Sequence, residues 1–232
     1  MLQGEPIQLV KVKTTLPALP YPPLDQRQSI MTERLLIRPW SEDDLQNVHE
    51  LRTQPEVMQW SAMGKIDEDL ERTKRYFDGH FVADGPSGLR SHDMIICLSS
   101  TGEFIGTGGS HRREGSLGWP ELGYTIKREY WGKGYATEFV QAYLAFWWAL
   151  PRAELEMEVD KATIQEDAKT GLVKENLVAI TVVHNEASRN VMRKAGFKLT
   201  KLWREPDLRD PTQMIDLYCH TVQKDTSAQP LQ

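Results

Sequence analysis

Three sets of residues have types and spacing suited to chemistry: the turn Trp131-Gly132-Lys133-Gly134-Tyr135-Ala136, the carboxylate Glu121 upstream of it, and the pair Asn185-x-x-Ser188 downstream. The run Glu121-Leu-Gly-Tyr-Thr-Ile126 alternates as a half-buried strand does. Thr137 to Leu150 carries Phe139, Val140, Tyr143, Leu144, Phe146, Trp147 and Trp148, too apolar all round for a surface helix. A strand that turns through two glycines into a helix presents unpaired N–H groups at the positive end of the helix dipole, which is a phosphate-binding geometry. Two familiar phosphate loops do not fit it. A nucleotide P-loop needs Lys-Ser/Thr, with the hydroxyl reaching magnesium, but Gly134 is followed by Tyr135-Ala136. A dinucleotide fingerprint needs a small residue three positions beyond its second glycine, early in the chain; that position is Thr137, in mid-chain.

Two further segments have legible physics. Thr32-Glu33-Arg34-Leu35-Leu36-Ile37-Arg38-Pro39 reads as a strand, and Ser41-Glu-Asp-Asp44 caps the helix after it. In Asn185-Glu-Ala-Ser188-Arg-Asn-Val-Met-Arg-Lys194-Ala-Gly196-Phe197, Asn185 is a good N-cap and Ala187, Val191 and Ala195 share a helical face. Gly196 suits a left-handed position just past the helix end, before Phe197 opens a strand.

Taken together, Trp131-x-x-Gly134-x-Ala136, the Thr32–Pro39 strand and the Asn185–Phe197 segment resemble the motifs of the GNAT superfamily of acetyl-CoA-dependent N-acetyltransferases. The similarity is to the ribosomal-protein-alanine N-acetyltransferase-like branch and runs over roughly residues 31 to 222. Trp131 departs from the Gln or Arg that the pattern has at its first position. The resemblance implies an α+β (mixed α/β) fold: a central mixed, mostly antiparallel sheet of six to seven strands, splayed at the motif strand and flanked by about four helices. It implies acetyl-CoA as co-substrate, no metal, and direct attack of a primary amine in a ternary complex. The acceptor class, small amine or protein N-terminus, is left open. A non-catalytic acyl-CoA-binding module of the same fold is the alternative.

The resemblance also implies roles. Backbone amides of Gly132, Lys133, Gly134, Tyr135, Ala136 and Thr137, with Trp131, hold the diphosphate. Main-chain groups of the strand segment Tyr124-Thr125-Ile126 hold the pantetheine arm and polarise the thioester, Asn185 meets a pantetheine amide, and Lys194 meets phosphate. Lys194 reads equally well as a solvated cation of the last helical turn. Amine acetylation needs a base, because a free amine carries a proton at neutral pH. Glu121 is the first candidate, a solvent-facing strand carboxylate being the alternative, with Asp160 and His184 as runners-up. Ser188 is the candidate donor to the leaving sulfur, or else a capping contact of Asn185. Trp60, Tyr76, Phe77 and Phe81 are either acceptor-pocket residues or a core stripe.

Composition bounds the rest. The chain has 232 residues, 40% of them hydrophobic, enough for one domain with a substantial core. A net charge of −5 gives no reason to expect nucleic acid as a partner. No apolar run is long enough for a membrane span, no signal peptide is visible, and Cys97 and Cys219 read as reduced buried thiols; cytoplasmic residence is the expectation. Residues 1–30, rich in proline, read as an extended arm, and 223–232 as a polar tail. Between them, the 31–222 domain holds an insertion over about 151–175, where members of the family pass almost directly from helix to strand. It reads as a solvated loop, a substrate lid or a dimer element, with Leu155–Val159 alternating as an extra strand would. Arm and insertion are the available contacts for a homodimer.

Overall fold

The computed structural model describes residues 6–62, 64–81, 91–165 and 171–224. Five helices lie along it: α1 (Leu45–Arg52), α2 (Pro55–Met58), α3 (Leu70–Phe81), α4 (Tyr135–Ala149) and α5 (Glu186–Lys194). The strands are β1 (Leu9–Pro17), β2 (Ile30–Met31), β3 (Leu35–Arg38), β4 (His92–Leu98), β5 (Phe104–Arg112), β6 (Glu121–Ile126), β7 (Arg152–Asp160), β8 (Leu177–Val182), β9 (Lys198–Asp207) and β10 (Asp210–Val222). Eight of them form one sheet in the order β2-β3-β4-β5-β6-β8-β10-β9. Its neighbours run antiparallel except β6 and β8, which are parallel and share the single registered pair Glu121↔Val178. The mixed, mostly antiparallel sheet opening at the motif strand is the arrangement expected. It holds eight strands rather than six or seven, and five helices rather than about four. The extra edge strand is the two-residue β2, and the extra helix is the single turn α2, started by Pro55 at its first position.

Local chemistry accounts for the elements that matter. The apolar face of α4 buries Phe139, Val140, Tyr143 and Trp147 against Leu122 and Ile126 of β6 and Leu177 and Ala179 of β8. This packing clamps the two diverging strands from one side. Gly108 on β5 is required there: a Cβ at that position would lie 2.6 Å from the Phe139 ring. Asn185 caps α5, its Oδ1 accepting from Ser188 N at 3.1 Å, and Gly196 ends it at φ 88°. At the start of α1, Ser41 N donates to Asp44 Oδ2 at 2.8 Å, as the Ser41–Asp44 capping reading requires.

The arm and the insertion are joined. Strand β1 pairs antiparallel with β7 from Leu9↔Asp160 to Pro17↔Arg152, forming a separate two-stranded ribbon. The stretch read as an extended arm therefore contains a strand, with Pro20, Pro22 and Pro23 following where the ribbon ends. Leu155–Val159 is part of a strand, as its alternation suggests, and not a solvated loop. Leu16, Met157 and Val159 pack on Trp119, Val178 and Trp203, covering the sheet face away from α4. Residues 166–170 of the insertion and 225–232 of the tail lie outside the described residues.

Candidate active site

The divergence of β6 from β8 leaves main-chain groups facing a gap. Pro120 O accepts from Val178 N, so by period-two alternation the N–H and C=O of Tyr124 and Ile126 turn to the β8 side. Thr125 turns the other way, since its carbonyl lies 2.2 Å from a Cβ built on Gly106 of β5. Of the expected segment Tyr124-Thr125-Ile126, the main chain of Tyr124 and the N–H of Ile126 face the gap, while Thr125 is committed to β5.

At the mouth of this gap lies the glycine turn. Gly132 and Gly134 have φ of 73° and 84°, and Gly134 is the N-cap of α4. Residues 131–134 are exposed, and Tyr135, Ala136 and Thr137 form the first turn, whose amides have no partner within the helix. The left-handed conformations suit glycine alone without strain. Exposed amides, a helix N-terminus and no Cβ at positions 132 and 134 fit a diphosphate. Trp131 explains its own departure from the motif: its indole Nε1 donates to Ile126 O at 2.7 Å, bracing the turn against β6. Lys133 Nζ stands 5.2 Å from the Tyr130 ring centroid, on the exposed side. Lys194 is exposed at the last turn of α5, and Asn185 lines the gap. With Oδ1 committed to the cap, the amide NH2 of Asn185 is the part it can offer a ligand.

The gap opens into a cavity of about 550 Å³ that passes under β6. On the α5 side, Tyr124 Oη donates to Ser188 Oγ at 3.2 Å. The main-chain N–H of Ser188 serves the Asn185 cap, and its hydroxyl faces Tyr124. Burial raises the Tyr124 pKa, outweighing the Ser188 contact, so the phenol keeps its proton at neutral pH. On the other face, Glu121 is 5% exposed and is not the solvent-facing carboxylate of the alternative reading. Its Oε1 accepts from Ser116 N at 2.7 Å, and its Oε2 lies 3.5 Å from His111 Nε2. Burial favours protonated Glu121, but the His111 hydrogen bond, the Ser116 amide and the charges of His111 and Arg112 outweigh it, and its pKa is lowered. Burial likewise opposes charge on His111, yet the Glu121 hydrogen bond and the charges of Asp93 and Glu121 prevail and raise its pKa. The pair is a carboxylate beside a histidine whose side chain stays 39% exposed to the cavity.

His111 is the residue that sequence reasoning missed. It lies near the end of β5, the antiparallel neighbour of β6, and no local motif marks it. The runner-up Asp160 is ruled out as a base by its surroundings. It is fully buried, 3.1 Å from Lys201 Nζ, and accepts from the amides of Gln8 and Ala162. His184 is exposed at the cavity rim, its ring 6.4 Å from Trp60. Trp60 and Tyr76 line the cavity, Phe77 is core, and the Phe81 side chain lies outside the described residues. The rim is completed by the β9–β10 turn, where Arg209 reaches Gln59 O at 3.4 Å.

Among the described residues no group of side chains could hold a metal ion, and no helix is long and apolar enough to cross a membrane. Comparison with known proteins follows the same lines. A family profile described as acetyltransferase (GNAT) domain matches residues 34–198. An uncharacterized N-acetyltransferase p20 of Bacillus licheniformis is 26% identical over 119 residues, 51% of this chain and 65% of that protein, so the match spans under two thirds of that relative. A GNAT-family acetyltransferase of Bacillus anthracis superposes with TM-score 0.61 at 22% identity, covering 84% of this chain and 98% of its own. RimL, a ribosomal L7/L12 α-N-protein acetyltransferase in complex with coenzyme A, superposes with TM-score 0.59 at 15% identity over 85% of this chain and 100% of its own. That profile spans more than half of the sequence, and the chain belongs to the GNAT acetyltransferase family.

Proposed function

We propose that the protein moves an acetyl group from acetyl-CoA to a primary amine, a small amine or a protein or peptide N-terminus, by direct attack in a ternary complex. The observation that carries this reading is the continuous cavity joining the β6–β8 gap to the His111–Glu121 pair. The amides of residues 132–137 take the diphosphate, and the main chain of Tyr124, the N–H of Ile126 and the Asn185 amide take the pantetheine arm. Lys194, on the exposed end of α5, serves the outer phosphate.

The amine enters from the side of Trp60 and Arg209 and gives up a proton to His111, whose ring faces the cavity. Glu121 is buried and charged; it holds His111 in place and stabilises the imidazolium that forms. This divides the base assigned to Glu121 into a positioning carboxylate and a proton-accepting ring. As the amine nitrogen bonds to the thioester carbon, charge grows on the carbonyl oxygen, facing the open β6 amides. When the C–S bond breaks, the sulfur takes the Ser188 hydroxyl proton, the Tyr124 phenol replaces it, and the second proton lost by the amine nitrogen restores the phenol through solvent. Both partners are neutral donors at working pH, which suits a leaving group with a thiol-like pKa.

A screen of small amines and N-terminal peptides at saturating acetyl-CoA, read by free thiol, tests the reading. Turnover with one acceptor class supports it. Coenzyme binding without turnover on any acceptor refutes it in favour of an acyl-CoA-binding module.

A further inference from the structure

Glu138 is out of place. It lies in the first turn of α4, where its negative charge stands at the helix end that would receive a diphosphate. Around it the chain has assembled a dense set of donors. Thr32 Oγ1 donates to Glu138 Oε1 at 2.6 Å and Arg34 N at 3.0 Å, while Arg34 Nε donates to Oε2 at 2.7 Å and Arg34 Nη2 lies 2.6 Å from Oε2. The same guanidinium lies 4.8 Å above the Tyr135 ring centroid, and its Nη1 donates to Lys133 O at 2.9 Å. One arginine thus touches the turn, the first helical residue and the first-turn carboxylate.

The Lys133 contact has a directional consequence. In a trans peptide the C=O and the following N–H point in opposite directions. With Lys133 O turned to Arg34, the Gly134 N–H is turned away from the guanidinium. The contact fixes the plane of the peptide at the centre of the turn, and the ion pair removes the charge that would repel an incoming anion.

Building on the function proposed above, we infer that Arg34 is a positioning residue for the coenzyme: it neutralises Glu138 and sets the Lys133–Gly134 peptide so that the turn accepts a diphosphate. Its contribution is confined to the diphosphate end of the ligand.

Calorimetry on the full chain with coenzyme A, and with S-acetylpantetheine, which lacks the diphosphate, tests this. Arg34→Gln weakens coenzyme A by about tenfold, since it leaves one unpaired carboxylate near the anion, and leaves S-acetylpantetheine within about twofold. Adding Glu138→Gln to that variant recovers most of the loss. Should Arg34→Gln fold poorly, Glu138→Gln alone carries the test, because its amide oxygen still accepts from Thr32 and the Arg34 N–H. Coenzyme A affinity that holds or rises supports the inference; a loss of about tenfold overturns it. An unchanged Arg34→Gln, equal losses for both ligands, or a double variant no better than the single one also overturn it. Wild-type protein that ignores coenzyme A would instead remove the functional reading beneath it.

Discussion

Replacing Glu121 with Gln separates the two ways of assigning the base. The substitution keeps an oxygen for the Ser116 amide, so the loop before β6 stays anchored, and removes the charge 3.5 Å from His111 Nε2. At that distance two unit charges attract by about 1 kcal/mol in a water-like medium and about 5 kcal/mol at an effective dielectric of 20. His111 is partly exposed, so the lower end applies, about 1 kcal/mol or a little under one pH unit. The sign follows from the shift. A histidine whose pKa is raised in the folded protein is a competent base only above that raised value, so wild-type kcat/KM falls on the acid side as His111 protonates. Without the Glu121 charge, the His111 pKa drops and the acid limb of Glu121→Gln moves to lower pH by about one unit. The plateau falls by about 10-fold to 100-fold from lost orientation, less than the 10²–10⁴-fold expected for His111→Ala. Steady-state rates from pH 5 to 9 with thiol detection read both. If Glu121→Gln abolishes the limb while His111→Ala leaves it in place, Glu121 is itself the proton acceptor and the division of roles made here is wrong.

Three other predictions test separate steps. Gly134→Ala forces a side chain into φ 84°, costing about 1–2 kcal/mol locally; it should weaken coenzyme A while leaving helix content unchanged by circular dichroism, and unchanged affinity would count against the turn. Leu16→Ala, at a fully buried ribbon position, should destabilise by about 2–5 kcal/mol in urea. A loss below about 0.5 kcal/mol would mean that β1 is no part of the core. His92 is buried against Tyr21 and Phe146, and burial, aided by the Arg27 charge, lowers its pKa to about 4. Its contribution is present above its unfolded pKa near 6.5 and is lost as pH falls toward 4, about 2 kcal/mol of it between pH 7 and 5. His92→Leu should flatten that part of the stability profile, and an unaltered acid slope would refute the assignment.

What was legible in the sequence was what is local. The Asn185 cap, the Gly196 terminus, the two glycines of the turn and the strand β6 each follow from bonds within a few residues, and the structure has them all, although burial along β6 does not alternate. The α4 helix was legible because its apolar surface has only one destination, the core. What depends on chain segments far apart was not legible. The β1–β7 ribbon joins Leu9 to Asp160, and neither strand signals its partner; β1 was further obscured by the prolines that follow it. His111 acquires its role only from Glu121 across the β5–β6 pair. Trp131, which looked like a flaw in the motif, proves to be a brace to Ile126 O, a main-chain contact that no residue pattern encodes. Asp160 looked like a free carboxylate because Lys201, which neutralises it, is far along the chain.

Amide hydrogen exchange of the full chain, with and without acetyl-CoA, reaches the central claim most directly. Coenzyme should slow exchange at Gly132 and Gly134 through Thr137, and at Tyr124 and Ile126, with little change in the β1–β7 ribbon. Binding that protects other amides and leaves these exchanging as in the free protein would contradict the account.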